Sequence, residues 1–370
     1  MSAPDPDGLF GGIDLSSRKS LIVAVSGGSD SLALLLLLKR YLDTGGQNAV
    51  PLAVTVDHRL RPQSADEARR VGTIAGRAGI AHRILAWEGA KPVAGISAAA
   101  REARHLLLSE AARQAGTDIV FTGHTMDDQA ETAAMRRLRG EGRGAAGIAP
   151  ATLFEGSCWF VRPLLTARRA ALRRFLAGTG QDWIDDPSNL DRRFERSRVR
   201  AELSDADVER LAAEAAVAGA AREALGRRAA ALIRAHAEIA APGLVRLDTG
   251  FTEESDRDAA RYALRILLAA VGGREHLPDA ERTTALLDRL AAGRGRATLS
   301  RCLVDRRRGE VLIRRERRGK EAGAPPAPTL GPWARYLPSF DLEPARAAAE
   351  LFGAAEIPPS PWADHNRPEA

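Results

Sequence analysis

Residues 21–38, reading LIVAVSGGSDSLALLLLL, constrain the fold more than any other stretch. Leu21, Ile22, Val23, Ala24 and Val25 form a short apolar run rich in β-branched residues, which predicts a strand buried on both faces. Residues 32–38 are apolar on every side and predict a buried helix. Between them lie Ser26, Gly27, Gly28, Ser29, Asp30 and Ser31. A strand, a glycine turn and a helix together aim free backbone N–H groups at an anion. The glycines let the main chain turn tightly and approach a ligand, and the serines add hydroxyl donors. A Walker A loop is excluded because no lysine follows, and a dinucleotide loop because its third glycine is missing. An ordinary βα turn with a capping Ser or Asp is the alternative reading.

The remaining pattern, SGGxDS, resembles the pyrophosphate loop of the ATP pyrophosphatase superfamily, whose members adenylate a substrate. Composition narrows the setting. The chain has 370 residues, enough for two or three domains. No apolar run approaches the ~18–20 residues of a membrane span, so no membrane partner is expected. The acidic, polar first 17 residues are no signal peptide and predict a mobile leader. Cys158 and Cys302 stand far apart without CxxC spacing, which argues against a disulfide framework, a zinc site or a thiol relay. A cytoplasmic location follows. The net charge of +6 invites a polyanionic partner, and arginine clustering says more about it than arginine count.

Further strands are expected at residues 50–56, 80–87, 119–122 and 159–161, with helices at about 31–42, 64–79, 97–115 and 127–138. This alternation over residues 18–165 predicts an α/β fold: an open, mostly parallel five-stranded sheet with helices on both faces. The second strand ends on Val56, Asp57 and His58, at the carboxyl edge where such sheets bind ligands. Turn chemistry and a helix cap are the plainer reading of Asp57 and His58. Residues 206–320 predict a smaller, mainly helical domain with a β-hairpin around residues 305–309. Residues 321–370 predict a Pro-rich, poorly ordered tail.

A second constellation, GHTMDDQAET, follows the fourth strand. On a helix, Asp128 and Glu131 point to one side, and His124 joins them if the helix starts early. Asp127 reads as a complement to the helix dipole. His124, Asp128 and Glu131 together, on the edge that also carries the glycine turn, read as a site.

SGGSDS, VDHRLRPQS, AAREARH, GHTMDDQAET, RGEGRGAAGIAP, RPLL and WIDDPSN with RSRVR occur in the order seen in the tRNA(Ile)-lysidine synthetase family. The chain resembles that family over residues 18–205, an N-terminal catalytic domain, and more weakly beyond. The resemblance implies a ligase using ATP and Mg2+. Such an enzyme adenylates C2 of the wobble cytidine, position 34, of tRNA(Ile) with a CAU anticodon, and then joins L-lysine to it. It further implies that residues 26–31 hold the pyrophosphate, that Asp30 helps place magnesium, and that Val56, Asp57 and His58 line the adenosine edge. His124, Asp128 and Glu131 would serve lysine recognition and catalysis, and Arg196 matches the motif arginine. A carboxylate or His124 could take the proton of the lysine amine. A homodimer is left open.

Ser197 stands where the family has asparagine, and Asp185 where glutamate is more usual. Three arginine groups suit an RNA partner: Arg136, Arg137, Arg139 and Arg143; Arg168, Arg169, Arg173 and Arg174; and Arg192, Arg193, Arg196, Arg198 and Arg200. Solvated helix faces are the plain alternative. A tRNA thiolase would want paired cysteines, and a GMP or asparagine synthetase its own substrate motifs; neither is seen. A non-catalytic RNA-binding relative would need the glycines but not the carboxylates.

Overall fold

In the computed structural model, the leading apolar run becomes β1 (Ser20–Ala24), with Leu21, Ile22 and Val23 wholly buried. The structure describes residues 4–45, 48–140, 143–185, 193, 195–293, 295–316 and 330–362. It divides into two units, residues 1–219 with 360–370, and residues 220–359.

In the first unit β1 pairs in parallel with β2 (Val50–Asp57) on one side. β3 (Ala81–Ala86) continues that side, again in parallel. On its other side β1 pairs with β4 (Ile119–Phe121), also in parallel. The five expected strands all form, the fifth as β6 (Cys158–Val161) beside β4. A further strand, β5 (Ala151–Phe154), runs antiparallel to β6. Four residues between Pro150 and Glu155 are too few to show an alternating pattern. The order within this unit is therefore β5-β6-β4-β1-β2-β3.

The chain moves outward from β1 through α2 (Ser29–Thr44) and α3 (Ser64–Arg77), then returns through α4 (Ile96–Gln114) to β4. Right-handed crossovers put α2 and α3 on one face and α4 on the other. Contacts of α2 with β1 and β2, and of α4 with β1, β2 and β4, agree. The strand order reverses between β1 and β4, so the crevice at their carboxyl ends is the place for a ligand.

The leader expected to be mobile is packed instead. Asp5 caps α1 (Pro6–Phe10) by accepting from Gly8 N at 3.0 Å. Phe10 is wholly buried, edge-on to Phe121, and Ile13 and Leu15 are buried too. Its polar composition hid these few anchors.

Residues 205–236, rich in alanine, form one helix, α8 (Asp205–His236), and the division between units falls inside it. The expected hairpin in the second unit is β10 (Cys302–Arg307) and β11 (Glu310–Arg315). It sits in a five-stranded antiparallel sheet with β7 (Ala237–Ala241), β8 (Leu244–Leu247) and β9 (Arg296–Leu299), in the order β7-β8-β11-β10-β9. Helix α9 (Arg257–Gly272) supplies much of the core, with Leu264, Leu267 and Leu268 wholly buried. The region expected to be a poorly ordered tail carries α10 (Leu342–Phe352), whose Pro344 lies in the first turn, where its missing N–H costs no helix bond. Residues 317–329 and 363–370 of that stretch lie outside the described residues. Asp341, just before α10, is buried and accepts from Arg222 Nε at 2.9 Å and Tyr262 Oη at 2.8 Å. Asp341→Ala removes the buried carboxylate that Arg222 and Tyr262 share, and is expected to cost about 3–5 kcal/mol. A lower urea midpoint for this unit's transition checks it.

Candidate active site at the carboxyl edge of the sheet

The glycine turn leaves the start of α2 open. Gly28 is the cap residue, in extended conformation, and no side chain caps the helix. The first-turn N–H groups therefore face outward without a side-chain acceptor. The loop is braced from within. Ser31 Oγ donates to Gly28 O at 3.0 Å, accepts from Ser26 N at 3.2 Å and lies 3.3 Å from Ser26 Oγ. The two glycines answer different demands. Gly27 has φ +89°, and a Cβ there would come within 2.7 Å of Ile184 Cδ1. Gly28 has φ −69°, and a Cβ there would meet only Ser26 Oγ, at 3.8 Å. Nothing inside the fold demands glycine at 28, whereas a ligand pressed against the loop would.

The loop after β4 touches this turn at main-chain distance. A Cβ on Gly123 would stand 3.0 Å from Asp30 C and Ser31 N. His124 follows, half-buried, with Nδ1 3.2 Å from Thr122 Oγ1. Burial holds its pKa well below the usual histidine value, and Arg162 and Arg196 push the same way, so the imidazole is neutral at neutral pH. Helix α5 (Met126–Leu138) then starts with a capping box between Thr125 and Asp128.

Arg169, at the start of α6 (Arg169–Gly178), joins the two motifs. It donates from Nε to Asp30 Oδ2 at 2.9 Å, from Nη2 to Asp128 Oδ1 at 2.9 Å and from Nη1 to Glu131 Oε1 at 3.2 Å. Helix α7 (Glu195–Glu202) adds Arg196 and Arg200, four apart and so on one face. Arg196 reaches Asp128 Oδ1 at 2.9 Å and Glu131 Oε2 at 2.6 Å. Arg200 reaches Glu131 Oε1 at 2.6 Å and Oε2 at 3.2 Å. The remaining oxygen, Asp128 Oδ2, accepts from Thr125 N at 2.8 Å and Thr125 Oγ1 at 2.9 Å.

Burial raises the pKa of Asp30, with Arg169 opposing. Burial also acts to raise that of Glu131, but Arg200 and Arg196 outweigh it and hold the carboxyl below its ordinary range. The sequence reading left Asp128 and Glu131 open to an incoming ammonium. They do face the expected edge, but arginines fill them, and the Glu131 side chain is only 2% exposed. As the residues stand, these carboxylates hold guanidinium groups.

At the end of β2, Val56 is half-buried, and buried Asp57 accepts from Arg59 N at 2.8 Å. An open cleft of about 470 Å³ lies beside it, lined by Asp57, Arg59, Arg61 and Ser64 among others. His58 has its pKa lowered to about 4 by burial and then by Arg104, whose Nη2 is 3.3 Å from His58 Nε2. Its Nδ1 is buried without a partner, leaving one hydrogen bond to offer.

Arg168, Arg169, Arg196 and Arg200, grouped by sequence as RNA-facing, turn toward acids instead; Arg168 meets Asp205 at 2.6 Å. Asp185 is exposed and accepts from Trp183 Nε1 at 3.0 Å. Sequence reasoning did not place Arg169 or Arg200 in the site. One signal was available: α6 opens with arginines at the positive end of its dipole, where they are locally unfavourable. Arg192, the side chain of Arg143, and residues 186–189 of WIDDPSN lie outside the described residues. Cys158 and Cys302 are buried, and burial pushes both thiols up to about 12.

A parallel sheet whose reversal point carries an uncapped SGGSDS turn defines an ATP-using domain of the PP-loop class, and the PP-loop domain family matches residues 10–206. The chain is 42% identical to the tRNA(Ile)-lysidine synthase of Mesorhizobium japonicum over a gapped alignment 447 positions long, covering 97% of each protein. It is 43% identical over 330 residues to the protein of that name from Brucella melitensis biotype 2, covering 85% of this chain and 72% of that one. The chain belongs to the tRNA(Ile)-lysidine synthase family, a family of ligases. A solved structure, the U34-tRNA thiolase NcsA from Methanococcus maripaludis, aligns with a TM-score of 0.47 at 14% identity over 57% of this chain and 77% of that one.

Gly27→Ala is expected to cost about 1–3 kcal/mol through the left-handed backbone and the clash with Ile184. Gly28→Ala is expected to fold normally yet bind ATP about tenfold more weakly or worse. Thermal melting and calorimetric ATP titration of both variants separate the two roles.

Proposed function

We propose that this chain joins L-lysine to C2 of the wobble cytidine, position 34, of tRNA(Ile) bearing a CAU anticodon, by way of an adenylated cytidine. The observation that carries the reading is the meeting of the two loops, Gly123 against Asp30 and Ser31, with Arg169 tied to both motifs. In the first step the cytidine O2 attacks the α-phosphorus of ATP and pyrophosphate leaves. The open N–H groups of α2, with Ser26 and Ser29, are suited to oppose the charge that builds on the phosphate oxygens. His58 Nδ1, at the adjoining strand end, is free to bond a nucleotide base.

Among the described residues no three or more His, Cys, Asp or Glu side chains form a metal-holding group. Asp30 would suit Mg2+, which commonly takes one carboxylate together with substrate phosphates and would neutralise charge there. In the second step the lysine ε-amine attacks C2 and AMP leaves. Asp128 and Glu131 orient the amino group, and neutral His124 has a ring nitrogen able to take the proton that the amine sheds. Arg196 opposes the negative charge on the departing AMP.

No helix among the described residues is long and apolar enough to cross a membrane. We place the reaction in the cytoplasm, as suits an enzyme that uses ATP and acts on tRNA.

Incubating the protein with ATP, labelled lysine and a CAU-anticodon transcript is expected to put the label into RNA and to release AMP and pyrophosphate. Folded protein that leaves the RNA unlabelled would sink the reading. His124→Ala is expected to slow lysine transfer about 100-fold while adenylate formation continues. Single-turnover assays following the two steps separately check this.

A further inference from the structure

Each carboxylate oxygen offers two lone pairs. Asp128 Oδ1 takes Arg169 and Arg196, and Oδ2 takes two donors from Thr125. Glu131 Oε1 takes Arg169 and Arg200, and Oε2 takes Arg196 and Arg200. All four oxygens are saturated, so an ammonium group enters only when one of these donors withdraws. Arg196 and Arg200 belong to α7 and have no tie to the glycine turn among the described residues. Arg169 differs, because its third arm holds Asp30 on that turn. Among the described residues, Arg169 is the only cation paired with Asp30.

We propose that Arg169 is a positioning residue that couples the two substrates: nucleotide at the glycine turn draws it off Asp128 and Glu131, and so opens them to lysine. This rests on the reading that nucleotide and lysine meet at this edge. The triphosphate brings several negative charges beside Asp30, and arginine binds phosphate in the same forked geometry as carboxylate. In the nucleotide-free protein the guanidinium fills the place of the substrate's ammonium, so lysine binds poorly until ATP has arrived. The three-way grip needs three nitrogens in a planar fork, which a lysine side chain lacks. The start of α6 carries the same sign of specialisation. It has no acidic residue in its first turn and no side-chain cap from its own cap residue. Instead Arg169 N donates to Asp127 Oδ2 of α5 at 2.7 Å.

The test is calorimetric titration of L-lysine into the full chain, with and without magnesium and α,β-methylene-ATP. Wild type is expected to bind lysine at least about fivefold more tightly with the analogue present. In Arg169→Ala that ratio falls to one, with lysine binding already tight without nucleotide. Arg169→Lys keeps the charge but not the fork, and also shows a ratio near one. Arg174→Ala, an exposed neighbour on the same helix, keeps the wild-type ratio. If Arg169→Ala does not fold, Arg169→Gln carries the same test. A wild-type ratio of one, or an unchanged ratio in Arg169→Ala, overturns the coupling. If wild type binds the analogue but lysine under neither condition, the lysine reading falls and takes the coupling with it.

Discussion

The structure depends on one close approach, the main chain at Gly123 lying against the main chain of Asp30 and Ser31. It exists because β1 and β4 are neighbours although nearly a hundred residues separate them, and because no side chain on Gly123 holds the loops apart. Everything chemical at the edge follows from it. The open helix start, the neutral imidazole and the paired carboxylates come from segments with little local reason to meet. The parallel register of Val23 with Phe121 sets their separation, and the glycine closes it.

What gathers there is a dense set of charges in a half-dry place. Burial alone would drive Asp30 and Glu131 toward their neutral forms. Three arginines oppose that drive, and for Glu131 they prevail. Such clusters are poor devices for raw stability, because desolvating the charges offsets most of the attraction. Their arrangement from three helices, α5, α6 and α7, makes better sense as a means of holding groups for chemistry.

Much of the first unit was legible because its strands are short β-branched runs between glycine turns and amphipathic helices, so local pattern and global fold agree. What escaped had weak local signals. β5 is four residues long, and α1 hides Leu9 and Phe10 behind acidic neighbours. β7, reading AEIAA, has little strand propensity of its own and is held by pairing with β8. The site divides the same way. His124, Asp128 and Glu131 could be chosen from residue type and spacing. Their occupancy could not, since it depends on Arg169 and Arg200 arriving from separate helices. A charge count sees those arginines only as part of a basic surface.

The borrowed cap of α6 has a consequence for how the molecule comes apart. A helix that opens with two arginines and takes its first acceptor from Asp127 has little reason to persist once α5 loosens. Its leading amide protons should therefore exchange with solvent in step with those of α5, as one cooperative block. Fraying at that point would scatter the guanidinium groups and the carboxylates in a single event, so the chemistry would be lost at once rather than by degrees.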